Sequence, residues 1–187
     1  KNWEIDMGLF DIFRIGKIKA ENEALKQELQ DLLSECTDEL NDIESRINDL
    51  PALDKARCYL TNYALIRACG TVEFVYRSIV ADHFSQLGNP RLDTYLDSTI
   101  RQGSNSAKYD NMKSLLKKFD PQWSSTFSNL VTVQTTDGQR LISASNSLVA
   151  NRHQFAHGRQ PSATFLDIKQ YYLDVVSLIS LFDSVVQ

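Results

Sequence analysis

The sequence is poor in cysteine, glycine and proline. Its 187 residues include three cysteines, seven glycines and four prolines. The cysteines are an odd number and none has CxxC spacing, which favours reduced, partly buried thiols of a cytoplasmic protein. Because glycine and proline interrupt regular structure, their scarcity favours a mostly helical chain.

A long apolar run is also absent. No stretch of about 18 apolar residues occurs, so we expect no transmembrane helix. We find no secretory pattern and expect a cytoplasmic protein. Hydrophobic residues make up 42% of the chain, as in ordinary globular proteins. A chain of this length is expected to form one domain with its own core and some appended structure.

Charge is distributed unevenly along the chain. Residues 21–50 carry ten acids and two bases, whereas residues 51–187 carry fourteen bases and eleven acids. An acidic N-terminal arm is therefore joined to a mildly basic body. The net charge of −4 does not exclude RNA as a substrate of that body, because binding depends on the local distribution of charge.

The first fifty residues divide into three segments. Residues 1–6 show no usable pattern, and we interpret Met7 as the natural start. Residues 7–19 mix apolar and basic side chains. Such a segment lies on a membrane surface or packs on its own domain or a partner helix, and we do not expect membrane contact. Residues 21–50 place apolar side chains at steps of three and four, which predicts a coiled-coil-like helix that pairs within the chain or between subunits. Residues 7–50 thus form an N-terminal extension.

The remainder, residues 51–187, is predicted to be a helical bundle. Residues 53–87 carry a wide apolar stripe suited to the centre of a bundle. Spacing and turn residues predict further elements. These are helices over 91–100, 108–119, 139–157 and 165–186, and a short extended stretch over 127–134. The predicted fold class is all-α, a bundle with a long N-terminal helix.

Arg152 and His157 stand at the end of the predicted helix 139–157, and Gly158 follows them. Arginine is a permanent cation whose planar fork of donors fits phosphate. Histidine can give or take a proton near neutrality, and glycine suits the left-handed residue that ends many helices. This group of residues is therefore a candidate site for breaking a phosphodiester bond.

The segment from Leu148 to Gly158, followed by a short loop, Thr164 and a strongly amphipathic final helix, resembles the HEPN superfamily. The superfamily motif is an arginine, four to six residues and then a histidine. The segment looks most like the branch named RiboL-PSP-HEPN. The resemblance implies an HEPN-like helical domain over residues 51–187. It also implies a metal-independent endoribonuclease that acts as a toxin or an antiphage defence effector.

Carried over by position, Arg152 and His157 match the family's catalytic pair. His153 stands directly after the arginine, at a position that is often polar in the family. The resemblance implies no metal or other cofactor, RNA as the substrate, and a homodimer with two motifs around one cleft. It further implies a partner protein, such as an antitoxin or another defence component. In a subset of the family a partner modifies a tyrosine two residues after the histidine. Because Arg159 stands at that position, we do not expect this type of neutralisation.

The motif residues suit cleavage in which the 2′-hydroxyl of RNA is the nucleophile. His157 suits proton transfer, and Arg152 suits the charge that develops on the phosphorane. Asn151 and Arg159 flank the pair, where we expect them to bind phosphate or to orient a histidine. The two catalytic candidates are five residues apart, about 140° around an ideal helix, so they converge only if the last turn loosens or the pocket is wide.

Glu73 lies in an otherwise apolar stretch and is a candidate partner of the motif. A buried pair with Arg67 or Arg77 fits the sequence equally well. A purely structural ion pair between Arg152 and a carboxylate of the bundle is the alternative to a catalytic role for that arginine.

The sequence is also compatible with other functions. His153 and His157 have the i, i+4 spacing of two zinc ligands. However, Gln154 stands where a metalloprotease has glutamate and no clear third ligand follows, so we predict no metal site. The second hypothesis is a non-catalytic HEPN-like module that binds RNA or protein and dimerises through the coiled coil. The third is a coiled-coil assembly factor with a basic amphipathic start.

Overall fold

The computed structural model describes residues 3–86 and 88–186, with side chains from Glu23 onwards except that of Leu25. Within these residues the chain forms seven α helices and no strand, which confirms the predicted all-α class. Their bounds are α1 Trp3–Asp49, α2 Lys55–Ser85, α3 Pro90–Leu96, α4 Tyr109–Phe119, α5 Pro121–Asn129, α6 Gly138–Ala156 and α7 Phe165–Asp183. Short π-helical turns extend α3 through Asp97–Arg101 and α5 through Leu130–Gln134.

The extended stretch predicted over 127–134 is wrong. Phe127 lies in α5, and the chain then continues as the π-helical turn. The hydroxyl of Thr135 donates to the carbonyl of Leu130 at 2.8 Å, and this hydrogen bond also spans the π-helical turn. β-Branched residues such as Val131 and Val133 favour a strand where a neighbouring strand packs beside them. The described chain offers no such neighbour.

The acidic helix α1 is 47 residues long, about 70 Å at 1.5 Å per residue. From Leu29 onwards its apolar seam is buried in the same core as α2 and α7. The hydroxyl of Tyr172 on α7 also donates to the carbonyl of Leu33 at 2.7 Å. Over residues 29–47 the seam therefore packs within the chain. The side chains of segments 1–6 and 7–19 lie outside the described residues.

Helix α2 is the central element of the bundle. It packs against α1, α3, α6 and α7. Asp54 caps its N-terminus by accepting a hydrogen bond from the backbone N–H of Ala56 at 2.8 Å. The buried Tyr76 places its ring edge-on to Phe182, with centroids 5.8 Å apart, and donates to the carbonyl of Asn105 at 2.9 Å. This core fixes α2 as the rigid support beside which the motif on α6 lies.

None of the helices, taken over the residues that the structure describes, has an apolar stretch long enough to cross a bilayer.

Candidate active site

Arg152 lies in the penultimate turn of α6 and is directed towards α2. Its Nη2 is 3.5 Å from Oε2 of Glu73, while 40% of the arginine side chain and 9% of the glutamate side chain are exposed. On the other side of the carboxylate, the thiol of Cys69 donates to Oε1 at 3.5 Å. The sequence left Glu73 with three candidate partners, and the structure pairs its carboxylate with Arg152.

The two other candidate arginines have different roles. Arg67 pairs with Glu39 on α1 at 2.6 Å. The Nε of Arg77 donates to the backbone carbonyl of Glu73 at 2.7 Å. Burial, followed by the nearby charge of Glu73, raises the pKa of the Cys69 thiol well above its usual range. Cys69 is therefore a protonated donor that helps to hold Glu73, and it is not an activated nucleophile.

His157 ends α6 in a geometry that depends on Gly158. The backbone N–H of Gly158 donates to the carbonyl of Phe155, and that of Arg159 donates to the carbonyl of Gln154, each at 2.9 Å. This pair of bonds is the Schellman arrangement, and it requires a left-handed residue between the helix and the loop. Gly158 supplies that residue with φ of 71°. The turn leaves the His157 side chain exposed at the helix end.

An open depression of about 440 Å³ lies at this helix end and is lined by His153, Gln154, His157 and Arg159. The rings of His153 and His157 meet edge to face, with centroids 4.3 Å apart and an interplanar angle of 68°. Three of the residues expected from the sequence therefore come together. Gln154 was missed, although it is the neighbour of His153 and lies one turn before His157.

Arg152 and His157 lie on different sides of α6. The arginine faces Glu73, while the histidine lines the depression with His153. This matches the angular separation expected from their spacing, because residues five apart do not share a helix face. One copy of the chain thus carries a guanidinium and an imidazole on different sides of the end of α6, and Arg152 is not among the residues that line the depression.

Asn151 holds the loop that follows the motif. The residue is buried, and its Oδ1 accepts hydrogen bonds from the backbone N–H groups of Ser162 and Ala163, both at 3.0 Å. Its Nδ2 donates to the carbonyl of Ser147 at 2.9 Å. These contacts give Asn151 a positioning role, because its amide fastens the loop to α6 instead of lining the depression.

The loop ends in a capping box formed by Thr164 and Asp167. The N–H and hydroxyl of Thr164 donate to Asp167, and the N–H of Asp167 donates to the Thr164 hydroxyl at 3.2 Å. These hydrogen bonds from Thr164 lower the pKa of Asp167 below its usual value. Both ends of the loop between the motif and α7 are therefore fixed by specific side chains.

No group of three or more histidine, cysteine, aspartate or glutamate side chains is arranged to hold a metal ion in the part of the chain that the structure describes. His153 and His157 are close to each other, but a tetrahedral zinc site needs a third protein ligand.

The RiboL-PSP-HEPN family model matches residues 30–187. The chain belongs to the RiboL-PSP-HEPN family. Comparison with curated proteins and with solved structures finds no significant match. The family match begins within α1 and includes all of α2 to α7, so it covers both the bundle and the depression at the end of α6. Membership supports an RNase-like or RNA-binding module and does not by itself specify a reaction.

Proposed function

We propose that this RiboL-PSP-HEPN protein is a metal-independent endoribonuclease that acts as a homodimer. The observation that carries the proposal is the exposed His153–His157 pair that lines an open depression at the end of α6, on the same helix as a partly exposed arginine that contacts a buried carboxylate. The depression gives an RNA strand access to an imidazole. The arginine retains guanidinium donors that the long contact with Glu73 does not use.

In this mechanism the 2′-hydroxyl attacks the adjacent phosphate, and the bond to the 5′-oxygen of the next nucleotide breaks. One imidazole takes the proton of the 2′-hydroxyl, and a second gives a proton to the departing oxygen. Arg152 stabilises the charge on the phosphorane. The products are a 2′,3′-cyclic phosphate and a 5′-hydroxyl. We assign the base to His157 of one copy and the acid to His157 of the other, so a second motif completes the site.

An exposed apolar face on α2 supports this dimer. It consists of Tyr59, Tyr63, Ile66, Gly70 and Phe74, all exposed. At 3.6 residues per turn they fall within an arc of about 80°. Apolar side chains gathered on one exposed helix face are typical of an interaction surface, and a twofold contact uses the same surface on both copies.

Gly70 lies at the middle of this face and has open space around its Cβ position. Two α2 helices can therefore approach closely if they cross there. Glu73, which contacts Arg152, lies one turn further along α2. A crossing at Gly70 would bring the arginines of both copies to one interface.

We propose a cytoplasmic toxin or antiphage defence effector that is controlled by a partner protein such as an antitoxin. Arg159 lines the depression, where a cationic side chain is suited to bind a phosphate of the substrate.

The test is cleavage of a fluorescent single-stranded RNA in the presence of a chelator. We expect wild-type protein to release 2′,3′-cyclic phosphate ends, and Arg152→Ala and His157→Ala each to lower the rate by about a hundredfold or more. The matched controls are Arg91→Ala and Asn146→Ala, two exposed positions outside the site, which should keep the wild-type rate. Sedimentation should show dimers for all five proteins.

Two results would contradict the proposal. If cleavage required a divalent metal, the mechanism would be wrong. If the protein bound RNA without forming products, the non-catalytic module would be the correct hypothesis, and the contact between Arg152 and Glu73 would be purely structural.

A further inference from the structure

We propose that a second surface, the α4–α5 groove, binds the phosphate backbone of single-stranded RNA. The groove is an open channel of about 580 Å³ between α4 and α5 and continues along the π-helical turn after α5. Lys113 and Lys117 line one side, and hydroxyl and amide side chains line the other. The proposal rests on the proposed function, because it takes RNA to be the substrate of the motif.

The lysines supply a short row of positive charge. Lys113 and Lys117 are four residues apart, so they lie on one face of α4 with a rise of about 6 Å between them. This spacing is comparable to the distance between successive phosphates of an extended strand. The ammonium group of Lys113 lies 5.4 Å from the centroid of the Tyr109 ring, a contact that restrains it beside the groove.

Carboxylates are not part of this surface. No aspartate or glutamate is among the described residues that line the groove. Residues 108–134 carry four lysines and two aspartates, whereas the whole chain has a net charge of −4. One of these aspartates, Asp120, is engaged at the N-terminus of α5, where it accepts from the N–H of Gln122 at 2.7 Å. The groove is thus a local positive surface on an acidic protein, and such a surface attracts a polyanion.

The opposite wall favours RNA over an acidic peptide. Ser124, Ser125, Ser128 and Asn129 line it at helical spacing. Their hydroxyl and amide groups can both donate and accept hydrogen bonds. Ribose 2′-hydroxyls and base edges also do both, whereas the carboxylates of an acidic peptide only accept. Trp123 does not line the groove and lies edge-on to His83, with centroids 5.2 Å apart, so recognition here depends on phosphate and ribose and not on stacking.

The groove and the motif lie near opposite ends of α6. Thr132 and Val133, at one end of the groove, precede the first residue of α6, and His157 follows its last. A helix of 19 residues is about 28 Å long. The groove is therefore a separate subsite that contributes to binding and takes no part in the chemical step.

The experiment measures binding of a fluorescent twenty-nucleotide single-stranded RNA to the full chain by anisotropy, over a range of salt concentrations. All proteins carry His157→Ala, so that the RNA stays intact. The test variant is Lys113→Gln with Lys117→Gln. The matched control is Lys108→Gln with Lys118→Gln, which removes two exposed lysines of the same segment that do not line the groove.

We expect the test variant to bind RNA about tenfold more weakly at low salt. The slope of log Kd against log salt should fall by about 1.4, because each neutralised phosphate of a single strand contributes about 0.7. The control should keep the original slope and affinity. Circular dichroism melts of both variants would show that the helices are intact.

The possible failures are distinguishable. If both pairs of lysine substitutions weakened RNA binding equally, the proposed role of the groove would be overturned. If polyglutamate displaced the RNA as readily as unlabelled RNA does, the groove would be a site for acidic peptides. If Arg152→Ala still cleaved RNA while the groove variant bound it weakly, the proposed catalytic role of the motif would be wrong and the proposed RNA binding by the groove would be supported. If wild-type protein cleaved RNA but the groove variant bound normally, only the groove would be overturned.

Discussion

Two buried carboxylates of α2 face arginines in contrasting ways. Asp82 contacts Arg101 at 2.6 Å, and Asp97 holds the same guanidinium from a second direction at 2.8 Å. Glu73 contacts Arg152 at 3.5 Å, and 40% of that arginine side chain is exposed, against 23% for Arg101. Arg101 thus contacts two carboxylates and holds α2 to the turn after α3. Arg152 is oriented by its carboxylate but keeps donors for another anion.

The contrast separates a structural arginine from a candidate functional one. A tight pair with two carboxylates satisfies the guanidinium within the protein, whereas a long, partly exposed contact contributes little to stability. Two carboxylates of one helix, each paired with an arginine, therefore predict different consequences when each pair is disrupted.

The largest expected effect is on stability. Arg101→Ala leaves the Asp82 carboxylate buried without its partner and should lower the free energy of unfolding by about 2–3 kcal/mol. Arg152→Ala should lower it by less, about 1 kcal/mol, because the lost contact is long and half exposed although Glu73 itself is buried. Urea unfolding at neutral pH measures both values. Equal losses would mean that Arg152 is a structural residue like Arg101.

An intermediate effect is expected when the carboxylates are changed. Glu73→Gln keeps the shape of the side chain but removes the charge that orients Arg152, so RNA cleavage should slow by about tenfold with little change in unfolding. Asp82→Asn should leave cleavage at the wild-type rate. Initial rates on a labelled single-stranded RNA give the comparison. Equal rates for the two variants would show that Glu73 has no role in cleavage.

The smallest expected effect is the dependence of stability on pH. Burial raises the pKa of Asp82 above its ordinary value of 3.8, against the opposing effect of Arg101. The unfolded chain therefore loses this proton at lower pH than the folded protein does. The contribution of Asp82 to stability is present below the unfolded pKa and is lost as the pH rises through the folded pKa.

Urea unfolding of wild type and Asp82→Asn measures this contribution. The free energy of unfolding of wild type minus that of the variant should fall as the pH rises from about 3 to about 6. A difference that increased over this range would show that Arg101 outweighs the burial of Asp82.

Much of the fold follows from local patterns in the sequence. Apolar residues at steps of three and four predict the helices, because residues at this spacing lie on one face of a helix. The left-handed stop at Gly158 was predicted for the same reason, since it involves neighbouring residues. The π-helical turn at Leu130–Gln134 was missed, because its valines have the composition of a strand.

The candidate site was predictable in part. The position of His157 at a helix end follows from the residues around it. The partner of Glu73 does not, because Arg152 is 79 residues away and Arg67 and Arg77 are nearer in sequence. The α4–α5 groove was missed for a similar reason. Its lysines and its hydroxyl groups belong to different helices, so no single segment carries the whole pattern.

The hydrogen bond from Tyr172 to the carbonyl of Leu33 fastens the last helix to the first across 139 residues of sequence. A truncated protein that began at Pro51 would leave this hydroxyl without its acceptor and would expose the apolar sides of α2 and α7 that α1 covers. A minimal folded fragment must therefore retain the acidic helix from Leu29 onwards.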